Sequence, residues 1–303
     1  SQPFSLTSLA QESLAGRVAL LHLPSLSAHE IYGSGQLMPF DLEINSLIDR
    51  QSHYAKADVR EVFKRIWNGS LPGFASGKFT NKDVFYSSYL QTYITRDLTE
   101  VTNENVDKFK FVDFIKATAC RTSQELNVHA IALDVDISDD TAKRWLGILE
   151  KSDIIFYLHP YSNNNLKRVV KKPKLYFFDT GLVSYLTKYT TPEILQNGAL
   201  SGAILENYVV NELRKNYLNL GQEPPIYYYR DKDANEIDIV LEVNGTLHAI
   251  EIKKSNNPTA SIVSQFGVLK KASLPLGVSA IVCTKEELSA IDKDNLIIPI
   301  SLL

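Results

Sequence analysis

The chain has 303 residues, about twice the size of an average domain, so two or three compact units are expected. Its composition, 44% hydrophobic and 22% charged, excludes a fibre, a low-complexity array and a disordered chain. Cys120 and Cys283 are too few and too far apart for a disulfide framework or a CxxC metal site, which favours a reducing, cytoplasmic setting. The net charge is −3, divided into +1 over residues 1–192 and −4 over residues 193–303, so nucleic acid could be held only by a local basic patch or by bound metal.

Residues 1–100 are predicted to contain one strand followed by helices. Residues 17–24 are apolar at nearly every position, which is typical of a strand buried on both faces of a parallel sheet. Helical patterns follow over 40–52, 57–67 and 81–99, and no neighbouring strand is offered. Either this strand is displayed in another way or its sheet lies outside the sequence. We favour the second interpretation, because the chain also begins with Ser and has Met38 as its one methionine.

Residues 101–190 are predicted to form a winged helix. A helix over 108–121 is followed by an apolar stretch over 128–134, a short turn, and Ser138 as the N-cap of a helix over 139–151. Two strands, 154–159 and 174–179, flank a polar tip. Three helices followed by a hairpin are typical of winged-helix domains.

Residues 191–303 are predicted to form an α/β unit. A helix over 200–217 precedes strands at 226–230, 236–243 and 246–253, and Asn244-Gly245 is a strong signal for a two-residue hairpin turn. A helix over 260–272 and a strand over 277–283 complete the αβββαβ order.

Three polar residues stand in the otherwise apolar strands of this unit. Alternation places Ile237 and Ile239 on one face of their strand and Asp238 on the other, and it places Glu251 and Lys253 together on the next strand. The hairpin brings the two strands side by side, so these polar side chains converge. Two carboxylates suit Mg²⁺, and a lysine beside them could orient an attacking water.

Another acid, Glu206, lies on the helix before these strands, at the edge of its apolar face. The alternative interpretation of the four charged residues is a surface cluster of ion pairs.

The set Glu206, Asp238 and Glu251-Ile252-Lys253, on helix, strand and strand, resembles the PD-(D/E)XK nuclease superfamily. The resemblance implies a restriction-endonuclease-like fold and a site that binds Mg²⁺ or Mn²⁺. Asp238, Glu251 and the backbone carbonyl of Ile252 would then be metal ligands. Lys253 would serve the attacking water, and Glu206 would tune the metal or a second ion. Degenerate members keep this fold without activity, so a non-catalytic scaffold is the alternative.

Further motifs along the chain resemble prokaryotic AAA-type ATPases that carry a C-terminal nuclease-like domain of uncharacterised function. These motifs are residues 13–18, 67–72, 93–98, 174–182 and 198–206. The resemblance implies that residues 1–100 are a remnant of an ATPase core and a helical lid-like region, and that oligomers form through the ATPase part. It also implies that the nucleotide site belongs to a longer form of the protein. Gly73 to Lys78 lacks the spacing of a phosphate-binding loop, so this chain should not bind ATP by itself.

A basic segment of the predicted wing is expected to contact nucleic acid, DNA in the first place, through its phosphates. Its residues are Lys167, Arg168, Lys171, Lys172 and Lys174, and the preceding helix adds Lys143 and Arg144. Asp139 and Asp140 in the first turn of that helix oppose base recognition. The alternatives to a DNA contact are a solvated hairpin and a module that binds DNA or protein without cleaving it.

Overall fold

The computed structural model describes residues 22–33, 40–101, 107–164, 168 and 171–303, and the side chains of all of these except residues 93–101. The predicted strand over 17–24 lies mostly outside the described residues, and His22, Leu23 and Pro24 have no regular structure. Met38 and Lys167 also lie outside them. No helix in the described ranges is both long and apolar enough to cross a membrane.

The fold is a mixture of helices and two sheets, with the helices concentrated in the first two thirds of the chain. In chain order the described α-helices are α1 (Ala28–Tyr32), α2 (Ile44–His53), α3 (Val59–Asn68), α4 (Pro72–Ala75), α5 (Lys82–Val101), α6 (Lys108–Ala119), α7 (Val128–Asp134), α8 (Asp139–Lys151), α9 (Thr180–Leu186), α10 (Pro192–Asn197) and α11 (Ser201–Leu218). The long predicted helices agree with these within about four residues at each end. Ser138 caps α8 by accepting a hydrogen bond from the Thr141 amide, as predicted.

The N-terminal helices are joined to the middle of the chain by the buried carboxylate of Asp179. It accepts hydrogen bonds from the Tyr86 hydroxyl and the Leu182 amide at 2.7 Å each, and from the Ser70 amide at 2.7 Å. Gly69 adopts a φ of +75°, and a Cβ there would stand 2.4 Å from the Tyr86 hydroxyl. Residues 67–72 and 174–182, two of the motifs that carry the ATPase resemblance, are therefore in contact with each other around Asp179.

The middle of the chain contains a small antiparallel sheet after helices α6 to α8. Its strands are β1 (Gln124–Glu125), β2 (Ile155–Leu158) and β3 (Lys174–Phe177), in the order β1-β3-β2. The predicted order of three helices and a hairpin is present, and β1 was not predicted.

The C-terminal part contains a mixed six-stranded sheet. Its strands are β4 (Ile226–Arg230), β5 (Glu236–Val243), β6 (Thr246–Lys253), β7 (Ser279–Cys283), β8 (Ser289–Asp292) and β9 (Asn295–Pro299), in the order β4-β5-β6-β7-β9-β8. The bounds of β4, β5 and β6 are the predicted ones. The predicted helix over 260–272 is a 3-10 helix (Ala260–Lys271), and strands β8 and β9 extend the sheet beyond the predicted order.

The two faces of this sheet are covered by different elements. Ile250 and Ile252 of β6 belong to the large core that includes Leu205 and Val209 of α11. Ala249 of β6 belongs to a second core with Phe266 of the 3-10 helix. The large core contains residues from all three predicted units, because helices near the N-terminus also pack against α11.

The small sheet is fixed to the edge of the large one. The Tyr228 amide of β4 donates to the His159 carbonyl at 3.1 Å, and the Tyr161 amide donates to the Tyr228 carbonyl at 2.6 Å. On the other side, the Asn207 side chain of α11 accepts from the Phe177 amide at 2.9 Å and donates to the Phe177 carbonyl at 2.8 Å. These contacts cover the outer edge of β4 and bring β3 next to α11.

Candidate functional site

Asp238 lies at a β-bulge in strand β5. Tyr227 pairs with Val240 and Tyr229 pairs with Ile237, so β5 has one more residue than β4 over this stretch. The predicted alternation is therefore wrong here: Ile237 belongs to the core under the 3-10 helix, whereas Ile239 belongs to the core under α11. Bulges of this kind often stand beside active sites, where they re-aim a side chain.

The bulge leaves the Asp238 carboxylate to bond the neighbouring strand. Regular pairing of β5 with β6 ends at Ile239 and Ile250, and Asp238 Oδ2 accepts from the Ile252 amide at 2.8 Å. Asp238 is thus held against the Glu251-Ile252-Lys253 segment, as the sequence predicts.

Glu251 and Lys253 interact directly on strand β6. Lys253 Nζ lies 2.6 Å from Glu251 Oε1. Glu251 is 6% exposed, and its second oxygen, Oε2, is buried without a hydrogen-bond partner among the described residues. The Lys253 side chain is 41% exposed, so its ammonium group is accessible to solvent while it contacts a buried carboxylate.

Glu206 of α11 faces the same site, but its contacts come from the small sheet. Glu206 Oε1 accepts from Lys174 Nζ at 3.0 Å and from the Tyr176 hydroxyl at 2.7 Å. Lys174 Nζ also lies 2.6 Å from Glu236 Oε1.

Lys174 is the main residue of the site that sequence reasoning missed. It was assigned to the basic surface of the wing, and that assignment is wrong because Lys174 is 3% exposed and surrounded by acids. A usable signal was its position as the first residue of an apolar strand. Its partner in space, Glu206, could not be inferred from the 32 residues that separate them.

The carboxylates strongly influence one another. Burial raises the pKa of Asp238 well above its usual value, and the charges of Glu206 and Glu251 raise it further. Burial also raises the pKa of Glu206, although Lys174 opposes the shift. For Lys174, burial lowers the pKa, but Glu206, Asp238 and Glu236 outweigh burial and raise it above its usual range. The cluster therefore favours any added positive charge.

The residues of the cluster that could hold a divalent cation are Asp238 and Glu251. Across the described part of the chain, no group of three or more His, Cys, Asp or Glu side chains could hold a metal, which agrees with Glu206 being engaged by Lys174 and Tyr176. Asp238 and Glu251 remain, with one buried Glu251 oxygen unsatisfied. Mg²⁺ is commonly bound by one or two carboxylates, with water and substrate phosphate completing its coordination.

The predicted nucleic-acid contacts fall into two groups. Lys171 and Lys172 are exposed after the hairpin tip, and Lys143 and Arg144 are exposed on α8, where Lys143 lies 3.4 Å from Asp140. Arg168 differs, because its guanidinium is 3.0 Å from Glu242 of β5 and lies over the Tyr161 and Tyr227 rings. Arg168 is therefore engaged with the large sheet, and its contact with phosphate stays a prediction.

A groove runs between the hairpin tip and the large sheet. Its volume is about 470 Å³, and the basic residues along it are Lys171, Arg230, Lys232 and Lys271. Tyr229 and Asp231 also line it. Arg230, which lines the groove, also lies 3.8 Å from Glu236 of the acidic cluster.

Two family models match the chain. Residues 59–193 match a domain of unknown function, DUF8612, and residues 201–303 match a domain of unknown function, DUF4143. The boundary between the matches falls just before α11.

Two curated relatives match with 26% identity over 267 residues. They are the uncharacterized protein Rv2008c of Mycobacterium tuberculosis and the uncharacterized protein Mb2031c of Mycobacterium bovis, and each match covers 84% of this chain. The chain spans about half the length of these relatives, 51% in each case.

A solved structure, a half-complex of Thermococcus gammatolerans McrB AAA+ hexamers with bound McrC, contains a similar chain. The identity is 13%, and the match covers 62% of this chain and 46% of that one. Its TM-score of 0.24 does not establish a common fold.

Proposed function

We propose that the C-terminal unit has a restriction-endonuclease-like fold and hydrolyses phosphodiester bonds of nucleic acid with Mg²⁺ or Mn²⁺. The observation that carries the proposal is the meeting of Asp238, Glu251 and Lys253 at a β-bulge, with a buried and unsatisfied Glu251 oxygen. An ion-pair cluster on an exposed surface would not bury the Glu251 carboxylate, which is 6% exposed.

The residues of the site have distinct roles in this proposal. Asp238, Glu251 and the Ile252 carbonyl hold the ion, which when bound polarises a phosphoryl oxygen and offsets the charge that develops on it. The Lys253 ammonium is held by Glu251 and open to solvent, so it can position an attacking water by hydrogen bonding.

The small sheet and its helices serve as a winged helix that contacts the nucleic-acid backbone. Lys171 and Lys172 are exposed beside the basic groove, which supports sequence-independent contact with phosphates. In this proposal the chain belongs to a longer protein whose ATPase part binds ATP, forms oligomers and drives or regulates the nuclease-like unit; the chain spans 51% of the length of its curated relatives.

Cleavage assays test the proposal. The full chain is incubated with single- and double-stranded DNA and RNA in Mg²⁺, Mn²⁺ or chelator, beside Asp238→Ala and the exposed control Asp113→Ala. We expect metal-dependent cleavage by wild type and by the control, and a loss of at least about 100-fold in Asp238→Ala, since removing a metal ligand removes the electrostatic stabilisation of the reaction. Equal cleavage by wild type and Asp238→Ala would falsify the assignment of activity to this site.

The second candidate is a binding module whose nuclease-like unit is only a scaffold. The observation that favours it is the engagement of Glu206 and Glu236 by Lys174, which leaves fewer open carboxylates than the sequence predicts. Its signature would be DNA binding without turnover that weakens steeply with salt. Lys171→Glu/Lys172→Glu should abolish such binding, whereas the exposed pair Lys56→Glu/Lys64→Glu should not. Unchanged binding in the first variant would eliminate this candidate.

A further inference from the structure

The Lys174 ammonium group is buried between two carboxylates. It lies within 3.0 Å of Glu206 Oε1 and 2.6 Å of Glu236 Oε1, and the nearby Tyr176 hydroxyl completes the contacts of Glu206 Oε1. Its side chain is 4% exposed. Glu206 and Glu236 are themselves partly exposed, at 16% and 36%, and a pair of carboxylates that converge from a helix and a strand is a ligand set that a divalent cation commonly uses.

The position of Lys174 is fixed by the fold rather than by a flexible loop. Lys174 begins β3, which pairs with both β1 and β2. The same strand is bound to α11 through Asn207 and Asn211, both of which donate to the Phe177 carbonyl. Lys174 and Glu206 are therefore held on two elements that cannot separate without breaking buried hydrogen bonds.

The charged side chains around the site have a net negative charge that one divalent cation would balance. The carboxylates are Glu206, Glu236, Asp238 and Glu251, and the ammonium groups are Lys174 and Lys253, which gives a formal charge of −2 when all are ionised. Arg230 contacts both Glu125, at 3.3 Å, and Glu236, at 3.8 Å, so counting Arg230 together with Glu125 leaves the sum at −2. Without Lys174 the formal charge of the same side chains would be −3, which one divalent cation could not balance.

We propose that Lys174, supplied by the small sheet, takes the place of a second divalent cation, so that the site binds one ion on Asp238 and Glu251. This inference rests on the proposed function. Under this inference Glu206 does not tune the metal but pairs with the Lys174 ammonium group. Lys174 is then a positioning residue.

Counting bound Mn²⁺ tests the inference without any activity measurement. The full chain is titrated with Mn²⁺, and free Mn²⁺ is followed by electron paramagnetic resonance for wild type, Glu206→Gln, Asp238→Asn and Lys174→Met. We expect one ion per wild-type chain. Asp238→Asn should weaken its binding by more than about 100-fold, beyond the loss typical of outer-shell partners, whereas Glu206→Gln should change the affinity less than about tenfold. Lys174→Met should bind two ions.

The outcomes separate the two proposals. Two ions in wild type, or a loss in Glu206→Gln as large as in Asp238→Asn, would overturn the role of Lys174 and leave a metal site standing. A folded Lys174→Met that binds one ion with unchanged affinity would overturn it as well. If Lys174→Met does not fold, Glu206→Gln decides, because it keeps the lysine paired with Glu236. No bound ion in wild type would overturn both proposals.

Discussion

Asp238 is held in an unfavourable environment by a specific local feature. The extra residue in β5 directs its carboxylate at the Ile252 amide, which is one favourable contact, while burial and two neighbouring carboxylates oppose ionisation. Residues kept in such environments commonly serve function at the expense of stability.

Asp238→Asn should therefore stabilise the metal-free protein. The amide oxygen can still accept from the Ile252 amide, while the buried charge is removed. We expect a gain of roughly 0.5–2 kcal/mol in the free energy of unfolding, measured by urea denaturation in chelator. The control Asp140→Asn, at an exposed helix position, should change it by less than about 0.5 kcal/mol. Destabilisation by Asp238→Asn would contradict this view of the site.

Gly69 is required for two reasons, its positive φ and its close packing against Asp179. Both Gly69 and Gly77 have positive φ, +75° and +72°, but a Cβ at Gly69 would stand 2.6 Å from both Asp179 carboxylate oxygens, whereas at Gly77 it would meet nothing within 4 Å. Gly77→Ala should cost about 1–2 kcal/mol of unfolding free energy from the left-handed backbone alone. Gly69→Ala should cost roughly 2–5 kcal/mol, because the Asp179 junction must also shift. Equal losses in chemical denaturation would show that the junction contributes little.

At the scale of elements, β3 is the strand on which the site depends. Strand β2 pairs with one side of β3 up to Phe177, and on the other side, beyond the two-residue strand β1, side chains of α11 bond the Phe177 backbone. The first residue of β3, Lys174, enters the acidic cluster. A helix and a strand from different family matches thereby build one site.

Asn207→Ala should loosen this contact. It leaves the buried Phe177 amide without its acceptor, while Asn211 still donates to the Phe177 carbonyl, so we expect a loss of about 1–3 kcal/mol in unfolding free energy for the one unsatisfied group. Asn197→Ala, at the exposed end of α10, is the matched control and should lose less than about 1 kcal/mol. A loss in Asn207→Ala no larger than the control's would show that α11 does not hold β3.

Local pattern predicted most of these elements because their causes are local. Ser138 caps α8, and Asn244-Gly245, both with positive φ, closes the β5–β6 hairpin. The bulge at Asp238 was not predictable, since it depends on how β4 pairs with β5. Strand β9 was not predicted, because it forms by parallel pairing with β7, a contact between distant segments of the chain. Strand β8 was not predicted either, because it is a four-residue edge strand with alternating exposure.

At the scale of the whole molecule, the parts share one core and one site. Buried residues from the N-terminal helices, the small sheet and the large sheet pack together around α11. The charge distribution along the sequence does not reveal this shared site. Residues 193–303 have a net charge of −4, and only the structure shows that Lys174, from outside this range, lies among their acids. The convergence of Asp238, Glu251 and Lys253 was predictable from two adjacent strands, whereas the contribution of Lys174 required the packing of two distant segments.

The position of bound Mn²⁺ tests the account most directly. Anomalous diffraction from crystals of the full chain grown with Mn²⁺ should show one peak in contact with Asp238 and Glu251, and no peak between Glu206 and Glu236. The absence of a peak at Asp238 and Glu251, or a peak that displaces Lys174 from Glu206, would contradict it.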